Sequence, residues 1–93
     1  MDEEGYAKFL ESQGLSANGI NTRKSKVKDV IKIIGKDLDE IVADDEEMYR
    51  AILVLEEIDD PAHKPRQNAL RKYYTFRNGQ DFPRIADYEK TRK

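Results

Sequence analysis

Apolar residues recur along this chain at helical spacing, not at the alternation of strands. Tyr6, Phe9 and Leu10, with Gln13 in register, mark one face of a first segment, residues 2–13. Three acids open that segment and Gly14 closes it, which suits a helix with acids at its positive end. Ser16 is a good N-cap for a second helix over 17–34. Leu15 and Ile20 have the spacing of a hydrophobic staple across that start. Ile20, Val27, Val30, Ile31 and Ile34 share one face, and Gly35 is a natural C′ residue.

Residues 36–43 read as a connector from which Leu38 and Ile41 tuck into the core. Asp44 and Glu47 have the spacing of a capping box, and a third helix, 45–58, carries Met48, Ala51, Ile52, Leu55 and Ile58 on one stripe. Asp59-Asp60-Pro61 stops it, because the residue before proline resists the α region. Pro65 opens a fourth helix, 65–77, that buries Ala69, Leu70, Tyr73 and Phe76. Asn78-Gly79 would signal a hairpin between two β runs. Its left flank reads helical, so here it predicts a C-cap. The expected organisation is a helical domain over 1–79 and a C-terminal segment, 80–93. Phe82, Pro83, Ile85 and Tyr88 make that segment a short docking helix or a tail that frays at Lys90 to Lys93. There is no internal repeat and no low-complexity tract.

Charge alters this picture more than composition does. The net charge is only -2, yet residues 37–60 hold eleven acids against one base, Arg50. Residues 61–93 hold nine bases against three acids. The weak total therefore hides a basic stretch that carries Arg, Asn, Gln and Tyr, the makings of a polyanion surface. Ninety-three residues with 38% hydrophobic and 39% charged positions suit one small all-α domain with a thin core. No run approaches the roughly 20 apolar residues of a membrane span, and the acidic N-terminus lacks a signal-peptide h-region. A cytoplasmic protein with no membrane association is expected.

Little points to catalysis. Without cysteine there is no disulfide, thiolate nucleophile or cysteine metal site. His63 is the single histidine and lies in a turn between prolines, and no glycine-rich phosphate loop occurs. Asp44 to Glu47 lack the spacing of a calcium loop and read as first-turn acids. No enzyme and no cofactor are expected.

Two helix faces carry the functional reading. At 100° per residue from Ile20, Lys24, Lys28 and Lys32 fall at about 40°, 80° and 120° on the second helix, a stripe about 12 Å long. These lysines either contact phosphates or form a solvated face paired with acids from 37–60. On the fourth helix, Gln67, Asn68, Arg71, Lys72 and Thr75 occupy the arc away from the apolar residues, with Lys64 at its start. Arg, Asn and Gln are side chains that read base edges in a major groove; an ordinary polar surface is the alternative. Tyr74 borders this arc and is a candidate for stacking on a base.

Phe9-Leu10, Gly14-Leu15-Ser16, the basic helix to Ile34-Gly35, Leu38, Ile41 and the run Asn68 to Phe76 together resemble a known family. The likeness is to the N-terminal core-binding domain of tyrosine recombinases (phage integrases), and it spans residues 5–78. It implies a four- to five-helix orthogonal bundle of SAM-like type, one half of a clamp around duplex DNA. It also implies that the second and fourth helices face the DNA, through Lys24, Lys28 and Lys32 and through Gln67, Arg71 and Lys72. The family's catalytic domain has no counterpart in these residues, so recombination by this polypeptide is not expected. The expectation is a non-catalytic DNA-binding module of mobile-element type, weak in isolation, using Lys24, Lys28, Lys32, Lys64, Gln67, Asn68, Arg71 and Lys72. The alternative is a protein–protein module that docks a partner through the acidic helix 45–58 and binds no DNA.

Overall fold

A computed structural model describes residues 1–92, and their regular structure is entirely helical. The order is α1 (Glu3–Ser12), α2 (Ala17–Ile34), α3 (Leu38–Val42), α4 (Asp45–Glu56), α5 (Pro65–Asn78) and α6 (Ile85–Thr91).

Local chemistry sets most of these bounds. The Ser16 side chain accepts the Gly19 N–H at the start of α2, and Gly35 ends the helix at φ 79°, a left-handed conformation glycine adopts without penalty. Asp44 accepts the N–H groups of Glu46 and Glu47 at the start of α4. The reciprocal half of a capping box is absent: Glu47 turns instead to Lys36, 2.9 Å away.

The segment expected as a connector holds the short helix α3. Asp37 caps it, and Asp39 and Glu40 add negative charge to its first turn. Five residues are too few to show a period, which hides this helix from a sequence reading.

α2 and α5 pack along one another and form the spine. Val27 and Val30 of α2 and Ala69, Leu70 and Tyr73 of α5 are buried between them and the surrounding helices. α1 adds Tyr6 and Leu10; α3 adds Leu38, Ile41 and Val42; α4 adds Met48, Ala51, Ile52 and Leu55. The stripe expected on α4 ends early, because the helix stops at Glu56 and Ile58 lies 47% exposed.

Buried hydroxyls tie the helices together. Tyr6 donates to the Ala69 carbonyl at 2.9 Å, and burial pushes its phenol far above the ordinary range. The Tyr73 oxygen accepts the Asp2 N–H at 2.9 Å and donates to Asp39 at 2.5 Å. Burial first, and the Asp39 carboxylate second, push this phenol up to about 12. Around Asp39 the Met1 ammonium approaches to 3.4 Å, with a closer contact to Asp37 at 2.9 Å.

The C-terminal segment joins the core. Phe82 is buried, and its ring lies 5.2 Å from those of Tyr74 and Tyr88. Tyr88 also meets Tyr49, and the Arg92 guanidinium sits 4.4 Å from the centre of the Tyr49 ring. Arg92 is therefore held against the body of the protein, where fraying was expected; Lys93 lies outside the described residues.

α5 starts without a side-chain cap of its own. Lys64 stands at its N-cap with φ 48°, a left-handed conformation that costs a non-glycine residue about 1–2 kcal/mol. The free N–H groups behind it are taken from outside the helix by Asp59.

Candidate nucleic-acid interface

The two flanks of α2 meet different neighbours. Lys24 and Lys28 face α1, where both reach one Glu3 carboxylate oxygen, at 3.3 and 3.2 Å. Those two lysines hold the Glu3 carboxyl below its usual range. The lysine stripe thus does pair with an acid, but one from α1, not from the 37–60 segment. Lys32, in the last turn of α2, is exposed and has no acidic partner among the described residues.

The opposite flank of α2 opens toward α5. Two shallow grooves run along it, a third lies on the side of α5 that faces α4 and α6, and all three meet at Asn68. The first, of about 280 Å³, is lined by Arg23, Asn68, Arg71, Lys72, Thr75, Asp81 and Phe82. The second, about 330 Å³, runs past Thr22, Arg23, Lys26, His63, Pro65 and Asn68. A third, about 400 Å³, includes Glu56, Lys64, Gln67, Asn68, Arg71 and Arg84.

Among the cations of the described residues, Lys8, Lys24, Lys28, Lys36, Arg50, Arg66, Arg77 and Arg92 each lie within 4.0 Å of a carboxylate. Arg23, Lys26, Lys64, Arg71, Lys72 and Arg84 have no such partner, and all six line these grooves. Lys32 and Lys90 are the remaining cations without one. The acids that share the grooves are Asp81 and Glu56. The Thr75 hydroxyl lies 2.7 Å from Asp81.

The residues expected on the outer face of α5 divide. Asn68 and Lys72 open into the grooves, and Asn68 donates one amide hydrogen to the His63 carbonyl at 2.8 Å. His63 in turn sits 2.6 Å from Asp60, which lowers the Asp60 carboxyl. Lys64 is exposed at the mouth.

Gln67 does not belong to the outer face: it is 6% exposed, and its N–H is bound by Asp59. A helical wheel places it at the rim of the apolar arc. Glu56 of α4 and Arg84 and Ile85 at the start of α6 line the third groove together with it.

Arg71 is half-buried and serves the fold. Its Nη1 donates to the carbonyls of Phe82 and Pro83, at 3.0 and 3.1 Å, and its guanidinium carbon lies 5.7 Å from the Phe82 ring centre. Burial draws its pKa below the ordinary arginine value. Tyr74, the candidate for stacking, is 4% exposed, and its hydroxyl donates to Asp45 at 2.8 Å. It presents no ring face to a base.

Arg23, Lys26, His63 and Arg84 were missed by the sequence reading. A signal for Arg23 exists: it falls at about 300° on the wheel that starts at Ile20, inside the apolar arc of α2. An arginine there has to carry its head group out along a seam between helices.

Among the described residues, no group of three or more His, Cys, Asp or Glu side chains is arranged to hold a metal ion. No described helix is long and apolar enough to cross a membrane.

The chain matches no protein-family model, no curated protein and no solved structure.

Proposed function

We propose that this is a non-catalytic DNA-binding module of SAM-like, integrase-like type, which contacts duplex DNA through the seam between α2 and α5. One observation carries the reading: the cations left without an acid partner gather around Asn68, while most others are neutralised by the protein's own carboxylates. Uncompensated cations on one face repel each other, and a phosphate backbone relieves that repulsion by releasing its counterions.

In this reading Arg23, Lys26, Lys64 and Lys72 hold phosphates and set the register on the duplex. Asn68 keeps one amide hydrogen and its carbonyl oxygen for a base edge. Arg71 positions the C-terminal segment beside the groove, and Lys24 and Lys28 contribute to the surrounding field.

The rival reading, docking through the acidic start of α4, is supported less well. Asp45 accepts from Tyr74, Glu46 binds Arg92 and Tyr88, and Glu47 binds Lys36. These acids already have partners within the chain.

The test is an NMR titration of the labelled chain with a generic duplex of about 20 base pairs, at low and then physiological salt. Shifts confined to residues 22–26 and 63–75 that fade with salt are the expected result. An unchanged spectrum at low salt would overturn the proposal.

A further inference from the structure

Three half-buried cations share the first groove: Arg23 of α2, and Arg71 and Lys72 of α5. Two of them are idle. Among the described residues, the Arg23 and Lys72 side chains make no hydrogen bond and no ion pair. Arg71 is fixed instead: its Nη1 is held on the carbonyls of Phe82 and Pro83, so its charge stays at the groove wall. Charges drawn part-way out of water are screened less than exposed ones, so these three repel one another more than surface lysines do.

One acid answers them. Asp81 lines the same groove and accepts the Thr75 hydroxyl at 2.7 Å. Glu56 also acts on Arg71, but it lines the third groove, where Lys64 and Arg84 offset it. Three cations against one carboxylate leave two positive charges in the first groove.

That count selects the occupant. A carboxylate or a phosphodiester brings one negative charge and leaves the groove half-neutralised. A phosphomonoester brings about -1.5 to -2 at pH 7, with three oxygens that accept strong hydrogen bonds from idle cationic donors. The volume, about 280 Å³, lies at the low edge of small-ligand pockets and suits a phosphate with the group esterified to it.

We propose that the first groove is a binding site for a phosphomonoester dianion, held by Arg23 and Lys72 against the fixed charge of Arg71. Two sources share this chemistry, the 5′-terminal phosphate of a DNA strand and a free monophosphate. For a strand end the site rests on the DNA-binding reading; for a free monophosphate it does not.

NMR titration of the labelled full chain with methyl phosphate and with dimethyl phosphate tests it, at constant ionic strength and about pH 8, where the monoester is a dianion. Expected are saturable shifts at Arg23, Lys72 and Thr75 with methyl phosphate, at a Kd of about 1 mM, and binding about tenfold weaker for the singly charged diester. Arg23→Gln should weaken methyl phosphate about tenfold at an unchanged thermal melt, because that side chain bonds nothing in the fold. Asp81→Asn keeps an acceptor for Thr75 and should tighten binding, the opposite sign. A second arm compares duplexes of about 20 base pairs with 5′-phosphate and with 5′-hydroxyl ends. Tighter binding of the phosphorylated ends assigns the site to a strand end; equal binding, with methyl phosphate bound, assigns it to a free monophosphate. Monoester and diester bound alike, or no saturable shift in the groove with either, overturns the proposal. Duplex binding in that case leaves the DNA-binding reading standing.

Discussion

Asp59 and Arg66 form an ion pair in which the acid is fully buried. The Asp59 carboxylate lies 3.2 Å from Arg66 Nη1 and accepts the backbone N–H of Arg66 and of Gln67, at 3.2 and 2.9 Å. The last turn beyond α4 thereby caps α5, doing from a distance what an N-cap side chain does locally. The Arg66 fork continues to Asp29 on α2, while its Nε is buried without a partner.

Removing the acid leaves two helix N–H groups without an acceptor and the partly buried Arg66 guanidinium with Asp29 alone. Asp59→Ala should cost about 3–5 kcal/mol, a large share of the stability of a domain this size. Chemical denaturation with an unchanged m-value is the measurement. Arg66→Lys should recover little of what Arg66→Ala loses, because a lysine cannot span Asp59 and Asp29 with a planar fork.

Arg71 should prove a residue of the fold. Arg71→Met should raise amide exchange across residues 80–92 while leaving α2 and the body of α5 protected, since the carbonyls of Phe82 and Pro83 lose their donor. Uniform protection in that variant would assign Arg71 to the surface instead.

The seating of α6 should depend on pH through Glu46. Its carboxyl is lowered first by Arg92, with help from Tyr88 on α6 and Arg50 on α4. A lowered folded-state value means that the contribution is complete above the ordinary 4.5 and is lost as pH falls through the lower folded value. Below about pH 4.5, exchange and tyrosine resonances of residues 85–92 should report release of α6 ahead of global unfolding. Glu46→Gln should remove the part of that dependence due to Glu46.

Duplex binding should separate the two flanks of α2. Arg23→Gln and Lys72→Gln should each lower the slope of log affinity against log salt by about 1, and Lys28→Gln should change it far less. Fluorescence anisotropy over a salt series measures this. Equal effects of all three would return the lysine stripe to the interface.

The bounds of α2 were legible because Ser16 and Gly35 are chemical signals within reach of the helix they close. The core was legible at Val27, Val30, Met48, Ile52, Leu55 and Leu70, where strong apolar periodicity agrees with burial. What escaped depends on contacts across the chain. Glu3 meets Lys24 and Lys28 only because α1 folds back on α2. Gln67 and Tyr74 are buried and bonded to residues outside α5, Asp59 and Asp45, which no wheel drawn on α5 contains. The sequence reading took the run of three lysines on α2 and passed over Arg23 and Lys26, the pair that lines the second groove.

The corner at residues 59–65 has one more consequence. Pro61 and Pro65 restrict its backbone, Lys64 is left-handed directly before Pro65 with its N–H on the Asp60 carbonyl, and the Asp60 side chain clasps His63. Such a corner has little conformational freedom left to surrender. A ligand arriving at the second groove meets a rim already in its final shape, so the entropy of ordering that rim was lost when the protein folded. Association there should proceed as a rigid-body encounter, with a rate set by charge and orientation and without a slow closing step.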